Sequence, residues 1–398
     1  MERISVAERR VRLGRRHRLA PGCQASGPVE AAESMVVLHA TDPATVHLSV
    51  AARVPGSEVA GTERALYDDR TLIRMLGMRR TVFVVPTGFA PVVQAACTDE
   101  IAVKQRKLLI RHLAEAGIAA SPEECAVWLR AVEESTATAL AVRGSATAQE
   151  LSADEPRLRS RLTMSTDKSY ATQPYVTSRV LFQLSADGRI VRGRPLGTWL
   201  SAQHQWSPVE KWLPDGFGDK LRADDARATL ARAWLGTFGP GTVTDLQWWS
   251  GWTLGQTRKA LAAVEAVQVE LDEGIGYVLP EDEAPEAETE PWVAFLPALD
   301  PTAMGWKDRD WYLGEHKARL FDTTGNIGPT VWADGRIVGG WGQPESGDVR
   351  FQLLEDVGSE TATAIEAAAD RWSSWLAGVR ITPRGRRASP LELQLSRG

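Results

Sequence analysis

Cysteine is scarce in this sequence: three in 398 residues, at Cys23, Cys97 and Cys125, too few and too widely spaced for a disulfide framework. No CxxC pair or neighbouring histidine pair accompanies them, so no metal site or other cofactor is expected, and they read as buried thiols. Long apolar runs are also missing. No stretch of about 18 apolar residues occurs, which excludes a helical membrane span, and the arginine-rich start lacks the apolar centre of a secretory signal. A cytoplasmic protein without a membrane partner is expected. Tyrosine and phenylalanine are few, whereas tryptophan numbers 15. Of these, Trp128 alone precedes residue 199, so the later part of the chain is expected to use tryptophans as core anchors, with base stacking as a second use.

A chain of this length exceeds what one hydrophobic core usually serves, and a 43% hydrophobic content is ample for several packed modules. A net charge of −5 argues against a nucleic-acid partner until its distribution is considered. Arg3, Arg9, Arg10, Arg12, Arg15, Arg16 and Arg18 crowd the first twenty residues. Glu281, Asp282, Glu283, Glu286, Glu288 and Glu290 crowd one Pro/Ala-rich stretch that reads as a linker. The excess of arginine over lysine suits bidentate phosphate contacts, and a GC-rich coding sequence would produce it equally.

The same order of elements recurs three times, helical patterns followed by a short β-rich run beside basic or glycine residues, and each reads as a winged helix. In the first, Leu66, Leu72, Ile73 and Leu76 stand at helical spacing before the β pattern Thr81-Val82-Phe83-Val84-Val85. The second opens on a capping box, Thr147 with Glu150, and ends in a hairpin-like run, 185–194, with Asp187-Gly188 as its turn. The third places Leu230, Trp234, Leu235 and Phe238 on one helical face. It breaks at Gly239-Pro240-Gly241, opens new helices at Thr242/Asp245 and Thr253/Gln256, and closes on the strand pattern 274–279.

The expected fold is α+β: a winged helix with a helical extension over 1–140, a second over 141–222, a third over 223–280 and the acidic linker 281–290. A C-terminal β-rich, barrel-like domain over 291–380 follows, with a terminal helix at 359–378, and then a mobile basic tail over 381–398.

Four segments together resemble the winged-helix DNA glycosylases of the AlkZ and YcaQ type: Met78-Arg79-Arg80-Thr81-Val82-Phe83-Val84-Val85-Pro86, the run 238–251 around Gly239-Pro240-Gly241-Thr242-Val243-Thr244-Asp245, Phe295-Leu296-Pro297-Ala298-Leu299-Asp300, and Asp334-Gly335-Arg336-Ile337-Val338-Gly339-Gly340-Trp341. The resemblance covers nearly the whole chain. It implies three tandem winged helices with a C-terminal β-rich domain, and excision of bulky alkylated bases, including crosslinks and antibiotic adducts at purine N7, from double-stranded DNA. In that family a Gln-x-Gln or Gln-x-Asp pair precedes an Asp-Pro that opens a helix. Here the segment reads His39-Ala40-Thr41-Asp42-Pro43, so His39 and Thr41 occupy the motif positions and both depart from glutamine.

Asp42 as N-cap with Pro43 at the first helical position keeps the preceding residues extended, and side chains two apart then share a face. A histidine with a pKa near 6.5 would orient or deprotonate the attacking water. Thr41 would hold water or a phosphate oxygen, and Asp42 ranks second behind its capping role. No lysine lies near the motif, so simple hydrolysis by a monomer is expected rather than a Schiff-base lyase step. Arg79, Arg80, Arg192, Arg194, Arg258 and Lys259 lie on wings or on the third helix-turn-helix, where phosphate contact competes with ordinary surface pairing. Two rival readings stand beside the enzyme: a transcription regulator reading an operator through the same wings, and a lesion-binding protein whose catalysis the His/Thr replacement has removed.

Overall fold

The computed structural model describes residues 1–162, 174–218 and 220–397. After helix α1 (Val6–Arg16), one order occurs three times: helix, short strand or bridge, helices, two-stranded hairpin. The first repeat consists of α2 (Pro28–Ser34), β1 (Leu38–His39), α3 (Pro43–Ala51), the helical stretch Val59–Glu63 with its π-helical continuation Arg64–Asp68, β2 (Leu72–Leu76) and β3 (Val82–Pro86). Helix α4 (Asp99–Glu115) leads to the second: α5 (Pro122–Arg143), a bridge at Ala146, α6 (Ala148–Asp154), α7 (Thr177–Ala186), β4 (Ile190–Pro195) and β5 (His204–Pro208). The third comprises α8 (Ala223–Phe238), a bridge at Gly241, α9 (Val243–Ser250), α10 (Leu254–Ala263), β6 (Val267–Leu271) and β7 (Gly274–Val278). In each repeat the first strand or bridge pairs antiparallel with the last strand: Leu38 with Val84, Ala146 with Trp206, Gly241 with Tyr277.

Local chemistry explains the boundaries. Capping boxes form at Thr147/Glu150, Thr242/Asp245 and Thr253/Gln256, each satisfying two backbone donors at a helix start. Three local expectations need correction. Residues 72–76 are not helical: the helix ends at Asp68, and all five residues of Leu72–Leu76 are buried in a sheet against β3. Asp187-Gly188 ends α7 rather than turning a hairpin, because Gly188 takes the left-handed conformation (φ 70°) that terminates helices. A boundary at 140 falls inside α5, whose Leu140 packs with Ala146 and Trp206 in a core belonging to the second repeat. Cys97 and Cys125 are buried free thiols, whereas Cys23 is partly exposed.

The first and third repeats share one large core with the C-terminal module. That module carries β8 (Val293–Leu296), β9 (Thr330–Ala333), β10 (Arg336–Gly342) and β11 (Arg350–Leu353) in the order β11-β10-β9-β8. The barrel expectation fails on this order: closure needs the first and last strands to pair, and here β8 and β11 are the edges of an open antiparallel sheet. Helix α11 (Ser359–Leu376) contributes Ile365, Ala368, Ala369 and Leu376 to a core with Phe295, Val331 and Trp341, and Ala44 and Leu48 of α3 join it. The start of α3 is thereby seated on the C-terminal module.

The two charged segments expected to be loose are both engaged. In the acidic stretch, Asp282 and Glu286 pair with Arg12, Arg15 and Arg16 of α1. The tail folds back, so that helix α12 (Pro390–Ser396) packs on β10 and Arg386 is buried between Asp42 and Glu392. A buried guanidinium with two carboxylates anchors a segment that composition alone marks as mobile.

Candidate active site

The β1–α3 junction is held from three sides. Pairing with β3 sets His39 opposite Phe83, and the Ala40 N–H donates to the Val82 carbonyl at 2.9 Å. Asp42 then caps α3, accepting from the Ala44 N–H at 3.2 Å. The tail closes the third side: the Arg384 N–H and the Arg386 Nε donate to the same Asp42 oxygen at 3.1 and 3.2 Å. Gly385 lies against Thr41 with φ 70°, and a Cβ there would stand 2.9 Å from the Thr41 carbonyl oxygen. Glycine meets both demands at that position.

His39 is 8% exposed, with its ring edge-to-face against Phe83 at 5.4 Å. Its Nδ1 accepts a long hydrogen bond from the Thr41 N–H at 3.4 Å, which leaves the proton of the neutral ring on Nε2. Burial, assisted by the Arg79 charge, pushes the imidazole down to about 3. The expectation of a pKa near 6.5 is therefore corrected: His39 stays neutral across physiological pH, and its Nε2–H is a donor. Asp42 is 2% exposed and its carboxyl is raised by burial against the pull of Arg386. Its oxygens serve the cap and the tail, which makes it a positioning group. Thr41 retains partial exposure.

The candidate DNA-binding cations divide. Arg79 and Arg80 form the turn between β2 and β3, both in the left-handed region (φ 55° and 61°). The Arg79 guanidinium sits 4.1 Å above the Trp248 ring of α9, and Arg309 of the C-terminal module lies 4.6 Å from the same ring. Burial, with Arg309 second, lowers Arg79 to about 10. Arg80 is exposed and approaches Phe182 of α7 at 5.8 Å. One hairpin tip thus touches the second and third repeats at once. Arg192 stands over Trp206 at 5.7 Å and, mainly through burial and then through Arg74, is lowered to about 10. Arg194 is engaged by Asp68 at 2.8 Å and Lys259 by Asp224 at 2.6 Å, while Arg258 is exposed on α10.

Arg74, Trp248, Arg309 and Arg386 are additions that sequence reading missed. Arg74 had a visible signal: it is the one charge inside the apolar run Leu72-Ile73-Arg74-Met75-Leu76. The others act through contacts dozens to hundreds of residues away, which local patterns do not report. Among the described residues no group of three or more His, Cys, Asp or Glu is arranged to hold a metal ion.

Three hairpin-bearing helical repeats, joined at one arginine-rich hairpin beside a short polar motif, define a protein with both α and β elements and open sheets around a strand–helix junction. The chain belongs to the AlkZ-like DNA glycosylase family, whose model matches residues 32–375. Among solved structures it is similar to DNA glycosylase AlkZ of Streptomyces sahachiroi, with a TM-score of 0.74 over 96% of this chain and 99% of that one, at 21% identity. That likeness is one of fold. Among curated proteins it is similar to an interstrand DNA cross-link repair glycosylase of Streptomyces sahachiroi, 28% identical over 134 residues, or 31% of this chain. The match spans 36% of that relative's length.

Proposed function

We propose that this chain is a monofunctional DNA glycosylase that hydrolyses the N-glycosidic bond of bulky N7-alkylated purines in duplex DNA, guanine adducts of a DNA-alkylating natural product foremost. It acts as a monomer without a metal or other cofactor, in repair or in protection of a producing cell. The three repeats are read as winged helices, with the strand order β1-β3-β2 of the first supporting that reading. What carries the proposal is the place of His39-Ala40-Thr41, at the end of strand β1 and the link from it into a capped helix, in a chain of the AlkZ-like family.

Alkylation at N7 leaves the purine cationic, so the C1′–N9 bond breaks with its electron pair moving onto a ring that becomes neutral. Water then adds to C1′ and loses one proton. The transition state is positive at the sugar. A neutral His39 fits that charge better than an imidazolium would. Its Nε2–H and the Thr41 hydroxyl are the two groups assigned to orienting the water, and neither needs to be a strong base.

The test is single-turnover release of free base from a duplex carrying a bulky N7-alkylguanine. His39→Ala and Thr41→Ala are each expected to slow release by roughly a hundredfold, and full rates in both variants would reject the assigned site. Because His39 is neutral down to about pH 3, the wild-type rate constant should show no step near pH 6.5. One observation favours a second reading: a histidine so weakly basic, with Nδ1 already engaged, suits a protein that binds the lesion without excising it. Tight adduct binding with no free base released would select that reading.

A further inference from the structure

Arg74 is 5% exposed, and its Nε has no hydrogen-bond partner among the described residues. No carboxylate pairs with it or with Arg192 among the described residues. The two arginines line one small cavity with Met75, Leu76, Phe182 and Trp206, at the junction of the first repeat's sheet and the second repeat's α7 and hairpin. His47 of α3 faces Arg74 and His204 of β5 faces both arginines; burial first, and then these cations, hold each imidazole down to about 3. Among the described residues His47 Nδ1 and His204 Nε2 are also without partners. Two guanidiniums, Ser185 and mostly apolar walls line the cavity, with the two neutral histidines outside its lining, so its charge is unbalanced by the protein itself among the described residues.

A buried cation without a counter-charge is costly; two facing the same cavity repel as well, and an anion between them removes both costs. The planar donor fork of arginine matches a tetrahedral oxyanion through paired N–H groups. We propose that Arg74 and Arg192 form a phosphate-binding site that takes a phosphodiester of the DNA backbone at the seam of the first two repeats. The choice of DNA as the source rests on the function proposed above. Register puts Arg74 opposite Val84, itself opposite Leu38, while His39 is opposite Phe83. Arg74 and His39 therefore occupy opposite faces of the same sheet. The phosphate site positions the duplex and does not touch the reacting sugar.

The experiment uses the full chain and an unmodified 20-base-pair duplex, with affinity measured by fluorescence anisotropy across a salt series. Arg74→Met and Arg192→Met should each weaken binding by about tenfold and reduce the slope of log K against log salt by about 1. Arg15→Met, which removes an arginine already paired with Glu286, should leave the slope unchanged. Arg74→Lys, which keeps the charge, should restore most of the slope and guards against misfolding as the cause. Inorganic phosphate forms a separate arm: at matched ionic strength it should raise the melting temperature of wild type more than that of Arg74→Met. Unchanged slopes in both methionine variants overturn the proposal. So does loss of the phosphate effect with the DNA slope intact, since the site then takes a free anion. A protein that binds DNA through these arginines yet releases no base from adducted duplex would leave this site standing and remove the glycosylase reading instead.

Discussion

Two groups of arginines behave oppositely in this molecule. On α1, Arg9 pairs with Glu273 at 2.5 Å, Arg12 with Glu8 and Asp282 at 2.7 and 3.2 Å, and Arg16 with Asp282 and Glu286 at 2.5 and 2.6 Å. Around the first hairpin, Arg74, Arg79 and Arg192 make no ion pair among the described residues, and two of them have their affinity for the proton lowered by burial and by another arginine. Arg10 apart, which donates to the Trp311 carbonyl and has no acid partner among the described residues, the α1 group is paired; the sparse group is not. With the proposed phosphate site, charge density along the chain points to the wrong end of the molecule for a polyanion, because, Glu8 apart, the acids that cancel α1 lie some 270 residues away in sequence.

Acid should weaken the fold through its buried neutral histidines. His17, His39 and His47 are buried and held at about 3 by burial, with Arg53, Arg79 and Arg74 respectively adding to the effect. The folded-state values lie below the unfolded value of about 6.5, so the neutral rings favour the native state above pH 6.5. Below it the unfolded chain binds more protons, and stability falls as pH falls towards 3. Each ring contributes up to about 1.4 kcal/mol per pH unit, or on the order of 4 kcal/mol per unit for the three together. Urea titrations at pH 7, 6 and 5 measure this; a flat stability across that range would contradict the buried neutral histidines.

The paired side should break by mutation. Asp282 takes both Arg16 terminal nitrogens and one of Arg12, a residue whose side chain is 1% exposed. Asp282→Ala leaves those guanidiniums short of a counter-charge and is expected to cost about 2 kcal/mol in urea unfolding. DNA affinity and its salt slope should not change, because the charge uncovered is not at the junction of the first two repeats. A large change in salt slope would show that α1 also meets DNA, and would dissolve the contrast.

Much of the architecture was readable because it is written locally. The capping boxes at Thr147/Glu150, Thr242/Asp245 and Thr253/Gln256, the Asp42-Pro43 helix start and the Gly239-Pro240-Gly241 break are signals spanning two to four residues, and each stands where its side-chain chemistry puts it. Local reading failed where partners are remote. Leu72 to Leu76 match helical spacing as well as a buried strand, and pairing with β3 decides between them. Asp42 reads locally as a cap and a second-rank catalytic carboxylate, whereas its contact with Arg386, over 340 residues later, is invisible to local pattern. The edges of the C-terminal sheet depend on which strands meet, and a run of β-like segments does not encode that.

The smallest effect is also the most discriminating. Arg74→Met removes a 5% exposed side chain with an unpartnered Nε and replaces it with an unbranched apolar one of similar reach. Lost packing costs little in such an exchange, and relief from an unbalanced charge beside Arg192 acts in the other direction. The expected change is between zero and about 1 kcal/mol of added stability in phosphate-free buffer, the reverse of the sign for Asp282→Ala. The sign is what matters, because a structural arginine and a ligand-binding arginine both lose function when removed, whereas the second alone leaves the free protein no weaker. If Arg74→Met unfolds more readily than wild type by more than 1 kcal/mol, Arg74 is part of the scaffold, and the two groups of arginines differ in partner but not in purpose.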